Sequence, residues 1–203
     1  MRLWTLQPVE VYETLKRDKV FRADPKKSLE EDEDLFAEPY KWMIEQMENR
    51  IGPRPKGVEL PVWAWYRWSN TSFRPNITTY AADTLNTVEV VRMDLEVESP
   101  VLLSDFDNWH FVLNYWYLAA NEWDEENYQA RREAEGFDLS CRHLNKKDVS
   151  IGHEEIKKSW ENIFNIGFGN GYVTDGNSIQ ATFWELKLDW VKNVKQFRGT
   201  RKA

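Results

Sequence analysis

A histidine close to two aspartates is the first candidate for chemistry in this sequence. His110 follows Asp107 by three residues and Asp105 by five, at a point where a strand is predicted to pass into a helix. A carboxylate at this spacing can orient an imidazole as a general base, because it fixes the tautomer of the ring. The alternative is structural, with the histidine in the first turn of a helix beside a capping aspartate. The sequence favours the structural alternative and leaves the catalytic one open.

A run of aromatic residues around one arginine offers a second kind of chemistry. Trp63, Trp65 and Trp68 surround Arg67. Such side chains can stack on a nucleobase or a nicotinamide ring through aromatic and cation–π contacts. Alternate residues of a strand over 62–67 face opposite ways, and both faces are largely apolar, which predicts a central strand covered on both sides. The alternative is therefore that the tryptophans belong to the core and that Arg67 extends outward to solvent.

Metal binding and cysteine chemistry find little support. Cys141 is the single cysteine, His143 lies two residues beyond it, and His153 precedes two glutamates. The sequence has no HExxH motif, no paired CxxC motifs, and no glycine-rich loop with the spacing of a phosphate cradle. We therefore predict no metal site.

Composition narrows the class of protein. The chain has 203 residues, 41% hydrophobic and 14% aromatic, with a formal net charge of −7. An acidic chain is unlike a nonspecific nucleic-acid binder, which presents a basic surface. The sequence has no apolar stretch of membrane-helix length, no signal-peptide core and no possible internal disulfide. These features predict a cytoplasmic protein with no membrane partner.

The elements that must position these residues follow from hydrophobic periodicity. Strands are predicted at 3–7, 20–22, 62–67, 87–98, 100–107 and 178–197. Helices are predicted at 9–17, 36–50, 109–118, 121–136 and 154–166, and a loop at 167–176. We expect a bulge near Val91 and Arg92, and either one long strand or two strands kinked near Asp189 in the last segment. The order does not alternate regularly, which predicts a single α+β domain over residues 1–203, with a mixed or mainly antiparallel sheet packed by several helices.

Several aromatic motifs carry a resemblance to a known family. They are Trp4-Thr5-Leu6-Gln7, Pro61-Val62-Trp63-Ala64-Trp65, Leu102-Leu103-Ser104-Asp105-Phe106 with Trp109-His110 and Leu113-Asn114, Ser159-Trp160-Glu161-Asn162-Ile163-Phe164, and Gln180-Ala181-Thr182-Phe183-Trp184-Glu185. With them the chain resembles, over essentially its whole length, the bacterial domain of unknown function family 3841. That resemblance implies a cytoplasmic bacterial protein and no known activity. Members commonly carry an Arg-Pro-Asp-Leu-Arg-like run, which stands here as Arg74-Pro75-Asn76-Ile77-Thr78, without the acid and the second arginine.

The layout is also similar to that of ADP-ribosyltransferases. These proteins have a short opening strand, a helix, an aromatic second strand and a late strand that holds a Glu or Gln. In them a polar residue on the first strand and a glutamate on a late strand hold the nicotinamide ribose of NAD. The resemblance implies such roles for Gln7, Arg67 and Glu185, with Gln180 as the other candidate on the late strand.

Two classes of function therefore remain open. The first is an enzyme with a nucleotide-binding pocket, or a degenerate relative of such an enzyme. NAD is its candidate cofactor. Its catalytic candidates are Glu185, His110 and Asp105, and its ligand-binding candidates are Gln7, Trp63, Trp65, Arg67 and Gln180. The second is a noncatalytic, aromatic-rich module that binds a protein partner or a small ligand. The two differ in whether Arg67, His110 and Glu185 reach one cavity.

Overall fold

The computed structural model of the chain describes residues 1–25, 33–69, 72–75, 89–136, 153–166 and 178–198. The strands are β1 Arg2–Pro8, β2 Val20–Phe21, β3 Val62–Arg67, β4 Glu89–Glu96, β5 Leu102–Asp105, β6 Ile179–Phe183, β7 Leu186–Lys187 and β8 Val191–Arg198. The helices are α1 Val9–Asp18, α2 Glu33–Ile51, α3 Phe106–Leu113, α4 Glu122–Ala134 and α5 His153–Ser159. Two 3₁₀ turns cover Trp160–Phe164 and Leu188–Trp190.

A six-stranded sheet in the order β5-β6-β3-β1-β4-β8 organises the fold. Strand β1 is antiparallel to both β3 and β4, β3 is antiparallel to β6, and β4 is antiparallel to β8. A second, two-stranded sheet pairs β2 with β7. The predicted α+β class with a mainly antiparallel sheet is confirmed, and the aromatic strand β3 occupies the predicted interior position.

One face of the large sheet carries an apolar core. Residues directly opposite on neighbouring strands share a face, so Leu3 lies with Leu95 and Ala64 with Ala181. Helix α1 adds Leu15, which is fully buried in the same cluster. Pro8 ends β1 with a φ of −54° and directly precedes α1. Because proline is already restricted to this φ, the chain passes from strand to helix without an intervening loop.

The other face combines aromatic and polar side chains. Trp4 lies opposite Trp65, and Trp65 lies opposite Gln180, so these three form a row across β1, β3 and β6. Arg92 and Asp94 of β4 are buried polar residues on this same face. The sequence of β3 predicts two alternating faces that are both largely apolar. The first face agrees with this prediction, but buried polar residues of β4 and β6 stand on the second one.

Four predicted boundaries are corrected by the structure. The register of β4 on β8 shifts between Asp94 and Leu95 and not near Val91. Helix α3 ends at Leu113, because Tyr115 adopts a left-handed φ of 58° that a helix cannot continue through. The segment 154–166 is an α-helix only to Ser159 and then tightens to 3₁₀. The predicted strand segment 178–197 contains the kink near Asp189, and it is also interrupted between β6 and β7.

The chain divides into two compact units. The first comprises 1–103 and 178–203, and the second comprises 104–177. The prediction of a single domain over 1–203 stays a prediction. In the second unit, Trp160 is fully buried and its Nε1 donates to the carbonyl oxygen of Trp116 at 2.9 Å. Ser159 Oγ accepts from the Leu118 amide at 2.9 Å, which ties the 3₁₀ region to the segment after α3.

No helix in the described part of the chain has the length and apolarity needed to span a bilayer. The predicted loop at 167–176, together with Cys141 and His143, lies outside the described residues.

Candidate functional site

The site begins where β3 ends and the chain folds back beside it. The Trp68 amide donates to the carbonyl oxygens of Ser72 and Phe73 at 3.1 and 3.0 Å. Ser69 and Ser72 exchange a reciprocal pair of backbone hydrogen bonds at 2.9 and 3.2 Å. Ser178 Oγ donates to the Trp68 carbonyl oxygen at 2.9 Å. These bonds fix residues 72–75 against the end of the sheet.

A β-bulge at the same end of β3 re-aims one aromatic ring. Trp65 is opposite Gln180 and Arg67 is opposite Ile179, so Tyr66 is the extra residue between them. Bulges bend a strand and redirect its side chains, and they recur beside functional sites. The Tyr66 ring packs edge-on against Phe73, with the ring centroids 6.1 Å apart.

These features enclose an open cavity of about 560 Å³. It is lined by Arg2, Trp4, Tyr66, Ser72, Phe73 and Arg74. The volume lies within the range of small-molecule sites, roughly 300–1,000 Å³. The lining residues that the structure describes supply aromatic rings, arginines and a hydroxyl, with no carboxylate among them, in a chain whose net charge is −7. This cavity therefore suits a ligand that is aromatic and anionic.

Arg2 and Trp4 are in direct contact within the cavity wall. The guanidinium carbon of Arg2 lies 5.5 Å from the centroid of the Trp4 indole, a cation–π geometry. Trp4 is only 6% exposed. Its Nε1 is buried and has no hydrogen-bond partner among the described residues. A buried donor without an acceptor is costly to maintain, and functional sites are where such atoms are found.

Three of the predicted ligand-binding residues lie at the cavity end of the sheet without lining the cavity. Trp65 neighbours Trp4 across β1 and β3, and Gln180 neighbours Trp65 across β3 and β6. Arg67 ends β3 and is 8% exposed. The Gln180 Nε2 is buried, and nothing in the described part of the chain accepts its hydrogen bonds. Trp63 lies further along β3, where its ring packs edge-on against Tyr40 of α2 at 6.1 Å.

Gln7 and Glu185 lie at the opposite end of the sheet. Arg67 pairs with Ile179 at one end of β6, and Glu185 follows Phe183 at the other. Strand β6 takes four steps from Ile179 to Phe183, or about 13 Å at ~3.3 Å each, and Glu185 lies beyond that end. The side chains of Arg67 and Glu185 therefore do not converge on a small cavity. Gln7 Nε2 donates to Thr5 Oγ1 at 2.8 Å, also at this end.

Glu185 is not on a strand, as the layout of ADP-ribosyltransferases would require. It lies between β6 and β7, and its side chain is 18% exposed. Arg22 Nε and one of its terminal nitrogens both lie 2.7 Å from Glu185 Oε1. The ion pair holds the connection between β6 and β7 to the segment after β2, and this role is structural.

Asp105 and His110 belong to the second unit and have structural contacts. Asp105 Oδ1 accepts a hydrogen bond from the Asn108 amide at 2.9 Å, so of the two candidate caps, Asp105 and Asp107, the structure selects Asp105. His110 Nδ1 lies 3.1 Å from the Phe106 carbonyl oxygen. A carbonyl oxygen only accepts, so Nδ1 carries the proton and donates. The contact is structural, but His110 lies in the last turn of α3 and bonds a backbone carbonyl oxygen, and not beside the capping aspartate in the first turn as the structural alternative predicted.

No group of three or more His, Cys, Asp or Glu suited to a metal ion occurs among the residues that the structure describes.

The cavity-lining residues were not among the site residues predicted from the sequence. Two signals pointed towards them: Trp4 stands in the opening aromatic motif, and Arg74 begins the run that follows the aromatic strand. Neither signal says that the two segments meet.

Comparisons with known proteins agree with the resemblance seen in the aromatic motifs. Neither the curated proteins nor the solved structures contain a significant match to the chain. A family model described as Domain of unknown function (DUF3841) matches residues 2–192. Because this match spans nearly all of the 203 residues, the chain belongs to that family.

Proposed function

We propose that the protein is a noncatalytic binding module for a small ligand that joins a planar ring to an anionic group, with nucleotides as the model class. One observation carries the proposal: the cavity beside the β3 bulge combines aromatic rings with Arg2 and Arg74, and none of its described lining residues is a carboxylate. Each element of such a ligand has a matching group in this wall.

The aromatic groups and the cationic groups of the cavity wall each contribute to the binding free energy of such a ligand. Stacking of a base on an aromatic side chain contributes about 1–3 kcal/mol per base. A guanidinium forms charge-assisted hydrogen bonds with a phosphate, frequently two at once, and these are about twice as strong as neutral ones. A ring alone or an anion alone uses half of the cavity, so a molecule that carries both binds best.

The absence of catalysis in this proposal rests on the contacts of the predicted catalytic residues. Glu185 is paired with Arg22, Asp105 caps α3, and His110 bonds a backbone carbonyl oxygen. Catalytic groups need access to a reacting atom in a shared site. These contacts favour binding over ADP-ribosyl transfer from NAD.

The test is calorimetric titration of AMP, ADP and NAD into the wild-type protein and four single variants: Arg74→Ala, Phe73→Ala, Arg17→Ala and Glu185→Ala. Arg74→Ala removes a cation from the cavity, and we expect the affinity for AMP and ADP to fall by about tenfold or more, from the loss of a charge-assisted hydrogen bond. Phe73→Ala should lower it as well. Arg17→Ala is the matched control, since Arg17 is exposed on α1 and pairs with its neighbour Asp18 at 2.7 Å.

The same titrations discriminate between the alternatives. Equal losses in Arg74→Ala and Arg17→Ala would indicate only a general effect of charge and would contradict the proposed site. If Glu185→Ala loses NAD binding while Arg74→Ala keeps it, the NAD-using enzyme becomes the better proposal. Failure of all three nucleotides to bind the wild-type protein would reject the nucleotide class.

A second candidate function is the docking of a protein partner through the same cavity. The observation that favours it is Phe73, a large hydrophobic side chain that is 55% exposed at the cavity rim. Exposed aromatic residues near arginines are typical of interface hot spots. An acidic peptide that carries an aromatic residue would satisfy the same groups, and it would compete with AMP in the titration.

We also propose a cytoplasmic setting in a bacterium. The single Cys141 excludes an internal disulfide, which suits a reducing compartment. The acidic net charge makes nucleic acid an unfavourable partner.

A further inference from the structure

The contact between Arg2 and Trp4 points to a specificity device in the cavity. We infer that Arg2 is a placeholder: its guanidinium covers the indole face of Trp4 in the free protein and moves to the anionic group of the ligand when the ligand's ring takes its place. This inference rests on the proposed function and names the residue that makes the site select a ring and an anion within one molecule.

The surroundings of Arg2 support this role. Its guanidinium lies 5.5 Å from the Trp4 ring centroid, while the rest of the side chain is exposed. The cross-strand neighbour of Arg2 is Glu96, yet within the described ranges Glu96 pairs with Lys192 at 3.8 Å. No carboxylate of the described residues forms a salt bridge with Arg2. The indole face is therefore the contact that positions this cation.

Trp4 is buried among its neighbours, and the guanidinium of Arg2 is one of the groups over its ring. Trp4 lines the cavity, but only 6% of its surface is exposed. A ligand ring cannot reach the indole face beneath the guanidinium until Arg2 moves. The ring of a nucleobase stacks over a larger area than a guanidinium covers, so the exchange is favourable once the displaced cation finds a new partner.

That new partner is the second half of the ligand. A nucleotide carries its phosphate a short distance from the base, where the displaced guanidinium can bond it. A nucleoside displaces Arg2 and offers no anion in return. An inorganic phosphate attracts Arg2 and leaves the indole face bare. Selection for the linked molecule therefore arises from a single side-chain movement.

The unpartnered Nε1 of Trp4 is a second, independent sign of a ligand. It is a buried donor with no acceptor in the described part of the chain. Nucleobases carry ring nitrogens and carbonyl oxygens along their edges, and either can accept this hydrogen bond. A ligand at Trp4 then removes the cost of the unsatisfied donor.

The experiment compares AMP with adenosine on wild-type protein, Arg2→Ala and Arg2→Gln by isothermal titration. Removing the guanidinium should weaken AMP by about tenfold, because the phosphate loses a charge-assisted partner. It should strengthen adenosine by about two- to fivefold, because the base no longer displaces a cation–π contact. Arg2→Gln keeps most of the side-chain length without the charge and should show the same opposite changes. Arg17→Ala should change neither affinity.

The inference predicts opposite changes in the affinities for AMP and for adenosine, so the titrations can reject it. If adenosine affinity stays the same or falls in Arg2→Ala, Arg2 is an ordinary wall residue and the placeholder is rejected, while AMP binding that depends on Arg74 leaves the proposed function intact. If AMP does not bind the wild-type protein, the proposed function itself fails. Circular dichroism of both variants confirms that the exposed position tolerates the change.

Discussion

The buried ion pair beside the candidate cavity leads to a quantitative prediction about stability. Arg92 Nε lies 3.1 Å from Asp94 Oδ1, and the two side chains are only 8% and 10% exposed. Asn193 Nδ2 lies 3.4 Å from the other carboxylate oxygen. Asp94 is also the cross-strand neighbour of Trp4. Loss of either charge thus leaves the other one buried next to the cavity wall.

Asp94→Ala should lower the free energy of unfolding by about 3–5 kcal/mol, because the Arg92 guanidinium is left buried without its counter-ion. Arg92→Met should cost a comparable amount for the same reason. The double variant Arg92→Met with Asp94→Leu should be close to the wild-type value, because apolar groups of similar volume remove both desolvation penalties.

Urea unfolding followed by far-ultraviolet circular dichroism measures all three free energies. The control is Glu96→Ala, which removes the 3.8 Å pair with Lys192, whose side chains are 50% and 65% exposed. A surface pair of this kind contributes about 0–1 kcal/mol. If Asp94→Ala costs no more than the control, water reaches the Arg92–Asp94 pair and the description of this face as buried is refuted.

Three further predictions concern the second unit. Asp105→Ala should destabilise the protein by about 1–2 kcal/mol in urea unfolding, because the Asn108 amide loses its cap. Trp160→Ala should cost about 3–5 kcal/mol in the same assay, since a fully buried ring leaves a cavity. Burial and then the hydrogen bond to Asp124 raise the pKa of Tyr117 above its ordinary value of 10.0. The stability that the neutral phenol contributes is thus complete below pH ~10 and decreases as the pH rises above it, and Tyr117→Phe should show a weaker loss between pH 9 and 11.

Two of these predictions have a matched control variant in the chain. Asp107→Ala removes an acid from the first turn of α3 that is not the cap, so it should cost less than Asp105→Ala. Trp123→Ala removes a ring that is 72% exposed and should change stability by less than about 0.5 kcal/mol. An equal effect in either matched pair would contradict the assigned role. An unchanged pH dependence in Tyr117→Phe would show that this phenol is not the group responsible.

The secondary structure was largely predictable because it depends on near neighbours in the chain. The alternation over 62–67 predicted β3 as an interior strand, and the apolar spacing over 36–50 predicted a helix within α2 Glu33–Ile51. Boundaries failed where a single backbone angle or a tertiary contact intervened. Tyr115 in the left-handed region ended α3 early, and the pairing of β7 with β2 divided the last predicted strand.

The structure does not bring the predicted site residues to one location. Trp65, Arg67 and Gln180 lie together because β3 pairs with β6, and the sequence alone does not specify that partner. Gln7 and Glu185, which the resemblance to ADP-ribosyltransferases assigned to an NAD site, lie at the far end of the sheet, and Glu185 is not on a strand. The Asp105 cap was predictable, since it depends on residues three positions apart.

The sequence by itself determined the alternating faces of the strands, the amphipathic helices, the acidic surface and the membership in an aromatic-rich family. These properties depend on composition and on periods of two or 3.6 residues. Only the tertiary structure decided that Trp4 meets Trp65 and that residues 72–74 fold back to complete a cavity with Arg2. Those contacts join residues more than sixty positions apart. They depend on the strand register and on a one-residue bulge, and many sequences can adopt either of these in several ways.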